Sequence, residues 1–259
     1  MEYALRTATG TVKTNKSIAK NIYEMIIETD IRNTFIPGQF INIYLDDISM
    51  LLPRPISICE AKTDSVTIVY RAVGKGTEHL SSYSESQPIK ISCPLGNGYK
   101  LEDDYYGKRV AILGGGIGIP PMLGLAKTLK ERNAVLDIFL GFQTGVFLVE
   151  KFWKLSQNIH ISTDDGSVGF HGNVLEMLES CGMVFDEYFA CGPKAMLSDL
   201  CEYALKSGSI TQVSVEERMG CGYGACAGCT CKVKDSGKIV RKSVCTHGPV
   251  FTGKELVLD

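Results

Sequence analysis

Four cysteines near the end of the chain, Cys221, Cys226, Cys229 and Cys245, stand in the spacing C-x4-C-x2-C-x15-C. Thiolates are soft ligands suited to iron–sulfur clusters and to zinc. The plant-type ferredoxin spacing, which holds a 2Fe–2S cluster, begins with the same C-x4-C-x2-C run. Glycines and alanines fill the first gaps, so the backbone can curl tightly and turn N–H groups toward the sulfurs, where such hydrogen bonds set a cluster's potential. Zinc stays open, since it also accepts four cysteines, although usually from two C-x2-C-like pairs. Cys245-Thr246-His247 looks like half of a Rieske box, but that site needs two histidines and the sequence has no second C-x-x-C-H run. Cys231 is the competing ligand. It falls in a predicted strand at 230–234 and would have to double back along an extended segment, so Cys245 is the expected fourth ligand.

A second constellation is built for phosphate. Gly114, Gly115, Gly116 and Gly118 follow an apolar stretch at 109–113 and precede a helical pattern with Pro120 and Pro121 in its first turn, where proline is tolerated. Such a turn lets the backbone approach a pyrophosphate, and the helix start offers it free N–H groups. It departs from G-x-G-x-x-G, because Ile119 stands where the last glycine would be, and Gly141-Phe142-Gln143 ends the next strand where a ribose-binding acid would be expected. A tight turn with no ligand is the bland alternative. Asp164 and Asp165 could repel a 2′-phosphate and favour NAD over NADP, or simply form an Asp-Gly surface turn.

A third set lies upstream. Arg54-Pro55-Ile56-Ser57 opens a predicted strand, Arg71 ends the next, and Gly74-Lys75-Gly76-Thr77 leads into a short helix. Two arginines and a glycine turn make an anionic cradle for a cofactor phosphate. Ser57 could hydrogen-bond a flavin edge and Tyr70 could stack on its ring; a surface cation at Arg54 and a core aromatic at Tyr70 are the ordinary readings.

The elements that must position these residues fall into two patterns. Short β-branched runs at 4–13, 21–29, 39–45, 56–61, 65–71 and 88–93, with a short helix at 77–83, predict a closed antiparallel β-barrel. From about residue 107, strands at 109–113, 135–141, 159–163, 187–191 and 212–216 alternate with helices, one after the glycine turn and others at 147–155, 172–180 and 193–206. That alternation predicts an α/β domain with a parallel sheet. The expected division is therefore 1–100, a β-barrel domain; 101–216, an α/β nucleotide domain; and 217–259, a small C-terminal cluster segment. The 259 residues suffice for two ordinary domains and an appendage. A net charge of −2 argues against nucleic acid. Five of the ten cysteines lie between 221 and 245; Cys59, Cys93, Cys181, Cys191 and Cys201 read as free thiols of a reducing compartment. The first residues carry no apolar signal core, and 110–126 is short and glycine-interrupted for a membrane span, so a cytoplasmic location away from membranes is expected. His79, His160 and His171 fall in no nucleophile or metal pattern and receive no role.

Read together, R-P-I-S, Y-R-x3-G-x-G-T, G-G-G-x-G-x-x-P and C-G-P resemble the ferredoxin–NAD(P) reductase superfamily over residues 1 to about 212. With the terminal cysteine spacing added, the chain is similar to the electron-transfer subunits of type B dihydroorotate dehydrogenase. The resemblance implies FAD on the first domain, NAD on the second and 2Fe–2S on the tail. By position it assigns FAD to Arg54, Pro55, Ile56, Ser57, Val69, Tyr70, Arg71, Gly76 and Thr77. It assigns the NAD pyrophosphate to Gly114, Gly115, Gly116 and Gly118, and places Cys191, of Cys191-Gly192-Pro193, near the nicotinamide. Many superfamily reductases end in an aromatic residue that covers the flavin; this chain runs on past that point.

NADH exchanges two electrons and a 2Fe–2S cluster one, whereas a flavin can do either, so the expected order in space is nicotinamide, flavin, cluster. No catalytic Ser-His-Asp set or carboxylate pair is evident, so substrate oxidation is expected on another chain. The resemblance implies a partner catalytic subunit with FMN that turns dihydroorotate into orotate, two of each subunit, with electrons passing from FMN through the cluster and FAD to NAD⁺. An NAD(P)H-linked flavin/iron–sulfur reductase serving a hydrogenase, a sulfite reductase or a ferredoxin-linked enzyme is the alternative. A zinc-stapled, non-catalytic binding module is a further one, which would be colourless.

Overall fold

The structure, a computed structural model, describes residues 7–29 and 35–258. Residues 4–6 of the predicted first strand lie outside them. Alternating apolar positions build β1 (Thr7–Ala19), β2 (Ile22–Glu28), β3 (Phe40–Tyr44), β4 (Arg54–Ala61) and β5 (Ser65–Arg71); α1 (Lys75–Ser81) and β6 (Pro88–Ser92) follow. The six strands close into an antiparallel barrel in the order β1-β2-β5-β4-β3-β6, as the sequence predicts. Val12, Met25, Ile27, Ile41, Ile43, Ile58, Ile68 and Ile91 fill its interior. β1 runs six residues past the expected end at 13. Register shifts between Val12 and Thr14 and between Ser17 and Ala19 let it keep pairing with β2, which bulges allow by bending a strand without ending it.

The second half alternates strand and helix. β7 (Arg109–Gly115) passes through a 3-10 turn (Gly116–Gly118) into α2 (Ile119–Glu131), followed by β8 (Val135–Phe142), α3 (Val149–Trp153), β9 (Asn158–Thr163) and β10 (Phe170–His171). Then come α4 (Val174–Ser180), β11 (Glu187–Cys191), α5 (Lys194–Ser207) and β12 (Ile210–Ser214). The tail holds β13 (Thr230–Asp235), β14 (Lys238–Ser243), α6 (Val244–His247), β15 (Val250–Thr252) and β16 (Leu256–Val257). The large sheet has the order β10-β9-β8-β7-β11-β12-β15. Its first six strands are parallel and β15 is antiparallel, with Val250 opposite Ser214. The tail is thus not wholly separate from the nucleotide domain: it carries the cysteines and then returns one strand to that domain's sheet edge. β13, β14 and β16 form a small sheet of their own.

Barrel and α/β layer pack closely. A Cβ at Gly124 of α2 would stand 2.7 Å from the Cys59 carbonyl oxygen of β4, so only glycine lets helix and strand meet at this distance. Ion pairs Lys127–Glu60 and Lys151–Glu24 cross the same seam. β3 is buried on both faces: Ile41 and Ile43 point into the barrel, while Phe40 joins the core shared by Cys229, Cys245 and Phe251. The cluster segment therefore lies on the outer face of β3.

Candidate functional site

Residues 215–229 form an irregular loop between β12 and β13. Backbone N–H groups inside this loop aim at sulfur. They hold the exposed Cys226 thiol down to about 7, Cys221 contributing most and Gly228 next, before the neighbouring Cys221 thiol. Hydrogen bonds to a thiolate favour the charged form, which is the form that binds metal. Cys245 sits in α6, 2% exposed. Burial first, and then the adjacent Cys229 thiol, push it up to about 12, while the Gly224 N–H pulls the other way. The four cysteines expected as ligands are thus brought together as adjacent pairs, Cys221 with Cys226 and Cys229 with Cys245. Among the described residues no three His, Cys, Asp or Glu side chains converge as a single-ion site. Cys231 lies in β13, its thiol directed at the Lys242 carbonyl of β14 at 3.7 Å. Two pairs of thiols with amides aimed at them fit the donor set of a 2Fe–2S cluster, which takes four thiolates across two irons.

At the barrel, Arg54, Pro55, Ile56 and Ser57 are all half-buried, whereas Ile58 and Cys59 farther along β4 are buried. The start of β4 therefore borders open surface. The Arg54 guanidinium lies directly against Gly76, filling the space a Cβ would need, and donates to the Leu52 carbonyl at 2.5 Å. The Thr77 hydroxyl bridges the turn: it donates to the Gly74 carbonyl and accepts the Val73 N–H at 3.0 Å. A cation over a glycine turn fits an anionic cofactor phosphate. Tyr70 corrects its expectation. Its ring is 1% exposed, stacked on Tyr23, with its hydroxyl donating to Asn15 Oδ1 at 3.0 Å. It is a barrel-core aromatic and offers no face to a flavin. The Val69 side chain is buried against the α2 side of the barrel, leaving only its backbone to meet a ligand.

A cleft of about 350 Å³ opens at the carboxyl ends of the parallel strands, lined by Gly115, Gly116, Gly118, Pro193, Arg71 and Glu216 among others. β7 has β8 on one side and β11 on the other, which makes this the crevice where the strand order reverses and ligands bind in open α/β sheets. Register sets Cys191 beside Gly114, joining the glycine turn to Cys191-Gly192-Pro193. Gly114 and Cys191 lie beneath the cleft rather than in its wall. A Cβ on Gly114 would stand 2.9 Å from Ile119 Cγ1, so this glycine serves the packing of α2 on β7. Cys191 is 1% exposed, and burial raises its thiol strongly. Of the two carboxylates after β9, Asp164 lines the cleft, whereas Asp165 accepts from the Ser167 N–H at 3.0 Å and its hydroxyl at 2.6 Å.

Sequence reasoning missed Glu216. It follows β12 at the same end of the sheet as Gly115 and Cys191, and it lines the cleft together with Arg71. Its position two residues past the last parallel strand is the signal that could have found it. Asn42 and Asn97, whose side chains reach the cysteine segment, were also missed, and no motif marks them.

The family model of the iron-sulfur cluster binding domain of dihydroorotate dehydrogenase B matches residues 216–257. The chain is 40% identical to the dihydroorotate dehydrogenase B (NAD(+)) electron transfer subunit of Caldanaerobacter subterraneus subsp. tengcongensis, over 95% of this chain and 96% of the relative. It is also 40% identical to that of Bacillus caldolyticus, over 96% and 97%. Among solved structures, an NADH-dependent reduced ferredoxin-NADP oxidoreductase superposes with a TM-score of 0.85 at 30% identity, covering 97% of this chain and 91% of the other. Phthalate dioxygenase reductase shares the fold, with a TM-score of 0.65 at 16% identity over 92% of this chain. These relatives match the chain over nearly its whole length, and the chain belongs to the family of dihydroorotate dehydrogenase B electron transfer subunits.

Proposed function

We propose that this chain carries electrons released on dihydroorotate oxidation to NAD⁺, through a 2Fe–2S cluster and FAD that it holds, with the oxidation itself on a partner subunit containing FMN. The observation that carries this reading is the arrangement around the barrel. The cysteine loop lies on the outer face of β3, whose Asn42 is paired with Pro55 of the Arg54–Ser57 motif, and the nucleotide crevice meets the barrel through Arg71. The overall reaction is dihydroorotate plus NAD⁺ giving orotate, NADH and a proton. Bound FAD exchanges an electron pair with nicotinamide and single electrons with the cluster.

The residues divide this work. Cys221 and Cys226 would ligate one iron and Cys229 and Cys245 the other, with the N–H groups of Gly228 and Gly224 directed at sulfur. Arg54, Gly76 and Thr77 would hold the FAD phosphates, with Arg71 at the mouth of the crevice and Ser57 beside the flavin. The NAD pyrophosphate would lie along Gly115, Gly116 and Gly118; Gly116 faces open space beside Arg71, while Gly115 and Gly118 let the turn close on the wall formed by Gly192 and Pro193. Asp164 would disfavour a 2′-phosphate and so select NAD. The domains we assign are 1–100 for FAD, 101–216 for NAD and 217–259 for the cluster, the last lending β15 to the second. The assembly would contain two copies of each subunit, with the exposed Cys226 side of the loop toward the partner. None of the ten cysteines is joined in a disulfide, as expected of a reducing compartment such as the cytoplasm.

The test is the native complex, purified anaerobically through a tag on this chain. With dihydroorotate and NAD⁺ added, NADH should form, and a co-purifying chain should carry FMN. No NADH from dihydroorotate, with NADH still bleaching the flavin and cluster, would move the reading to the ferredoxin-linked reductase that the 30% identical structure favours.

A further inference from the structure

We propose that Asn42 and Asn97 are positioning residues: two barrel-side amides that hold the cysteine loop at a fixed distance from the flavin motif and so set the rate at which electrons cross between flavin and cluster. This rests on the function proposed above.

Asn42 is in the middle of β3 and 1% exposed. Its backbone N–H donates to the Ser92 hydroxyl at 2.9 Å. Its side-chain Nδ2 donates to the carbonyl of Cys221 at 2.8 Å, across 179 positions of sequence. The amide lies flat on Gly222, where a Cβ would stand 2.6 Å from Nδ2 and 2.7 Å from Oδ1, and where φ is +79°. Loop and strand therefore touch backbone to amide, with no intervening side chain.

Stability alone does not account for this amide. Its Oδ1 is buried and has no partner among the described residues, and an unpaired buried acceptor costs about 1–3 kcal/mol. An apolar side chain would avoid that cost and still fill the space. What the apolar side chain lacks is the donor to Cys221. Pairing of β3 with β4 puts Asn42 directly across from Pro55, with Arg54 and Ser57 opposite Ile43 and Phe40. One residue thus stands in register with the proposed FAD strand and bonds the first cysteine of the loop through its side chain.

Asn97 makes the matching contact at the other end. Its Nδ2 donates to the carbonyls of Thr246 and His247 at 3.0 and 3.1 Å, next to Cys245, and its N–H donates to the Gly248 carbonyl at 2.7 Å. The first and the last of the four cysteines are each held through neighbouring carbonyls by one asparagine. Electron tunnelling falls off exponentially with separation, so slack at either anchor lowers its rate.

The test uses the holo complex carrying Asn42→Asp, Asn42→Ala or Asn97→Ala. Aspartate keeps the shape and loses the donor. NADH is mixed in anaerobically; absorbance follows the first flavin bleaching, and rapid-freeze EPR follows the reduced cluster. Flavin bleaching is expected at the wild-type rate. Cluster reduction should slow several-fold in both Asn42 variants, and less in Asn97→Ala. Cluster reduction at the wild-type rate in the Asn42 variants would overturn the proposal, as would equal slowing of flavin and cluster, which marks a general structural defect. Should the Asn42 variants lose the cluster, the exposed Asn97→Ala decides: slowed cluster reduction with normal flavin bleaching supports the proposal, and normal rates of both overturn it. A wild-type complex in which NADH bleached neither group would remove the functional reading itself, and the proposal with it.

Discussion

Replacing Gly118 by alanine should damage the nucleotide crevice while leaving the barrel and cluster intact. Gly118 has φ −77° and ψ −11°, a conformation alanine adopts freely, so backbone strain is not the issue. The obstacle is space. An added Cβ would stand 2.5 Å from the Cys191 carbonyl carbon and 2.6 Å from the Gly192 nitrogen, against 3.4 Å for ordinary contact. These, with the Cys191 carbonyl oxygen that lies nearer still, are backbone atoms of the neighbouring turn and cannot swing aside, so the two turns must part by roughly 1 Å. Overpacking of this kind costs about 1–3 kcal/mol. At about 2–4 °C per kcal/mol for a chain of this size, Tm should fall by roughly 2–12 °C. Of the displaced residues Gly192 lines the cleft, and a misplacement near 1 Å costs about a hundredfold in rate. The assay is anaerobic stopped-flow bleaching of the flavin across a range of NADH concentrations, with cluster content checked by iron analysis. A rate within about threefold of wild type, with Tm unmoved, would refute the argument that these two turns form the nicotinamide-bearing wall.

Other outcomes follow from single side chains. Cys245→Ser should abolish the visible and EPR signals of the cluster and Cys231→Ser should preserve them; the reverse result would displace Cys245 from the ligand set. Asp164→Asn should raise kcat/KM for NADPH relative to NADH by at least about fivefold, since a like charge near contact distance is worth about 1–4 kcal/mol, and an unchanged ratio would return Asp164 to a surface role. Glu187 is buried, accepting from the Tyr105 hydroxyl at 3.1 Å and from Gln212 Nε2 at 2.8 Å, and burial raises its pKa. A carboxyl with a raised folded pKa is fully accommodated below its unfolded pKa, and stability is lost as pH rises through the folded one. Glu187→Gln should therefore gain on wild type as pH climbs from about 4, near the unfolded glutamate pKa, toward 8; parallel Tm–pH curves would contradict this.

Local pattern carried most of the fold into view and tertiary contact withheld the rest. The strand at 65–71 was legible because its β-branched run alternates, with Val66 and Ile68 inward, and Pro120 with Pro121 marked the first turn of α2. The far end of β1 was not legible, because bulges break the alternation that sequence reading depends on. β15 is three residues long and pairs at a sheet edge fixed only by the rest of the chain. The cysteine spacing was informative because cysteine is a distinctive residue type. Tyr70 was ambiguous because an inward aromatic and a ligand-stacking one have the same composition, and only its stacking on Tyr23 separates them. Glu216, Asn42 and Asn97 act through partners far along the chain, and no local window contains both members of such a pair.

The pairing of Ser214 with Val250 has a topological consequence. The segment between them leaves and re-enters the sheet at adjacent positions, so in outline it is the connection of a single β-hairpin, long enough to carry five cysteines, two short strands and a helix. Its ends are brought together by the sheet edge itself. Because the entropy of closing a loop grows only slowly with length, about 0.6 kcal/mol per doubling, such a connection can lengthen or shorten with little effect on the sheet below. The cysteine segment is thus joined to the barrel and sheet at a single hairpin turn, and neither the sheet nor the barrel has to change its connectivity to carry it.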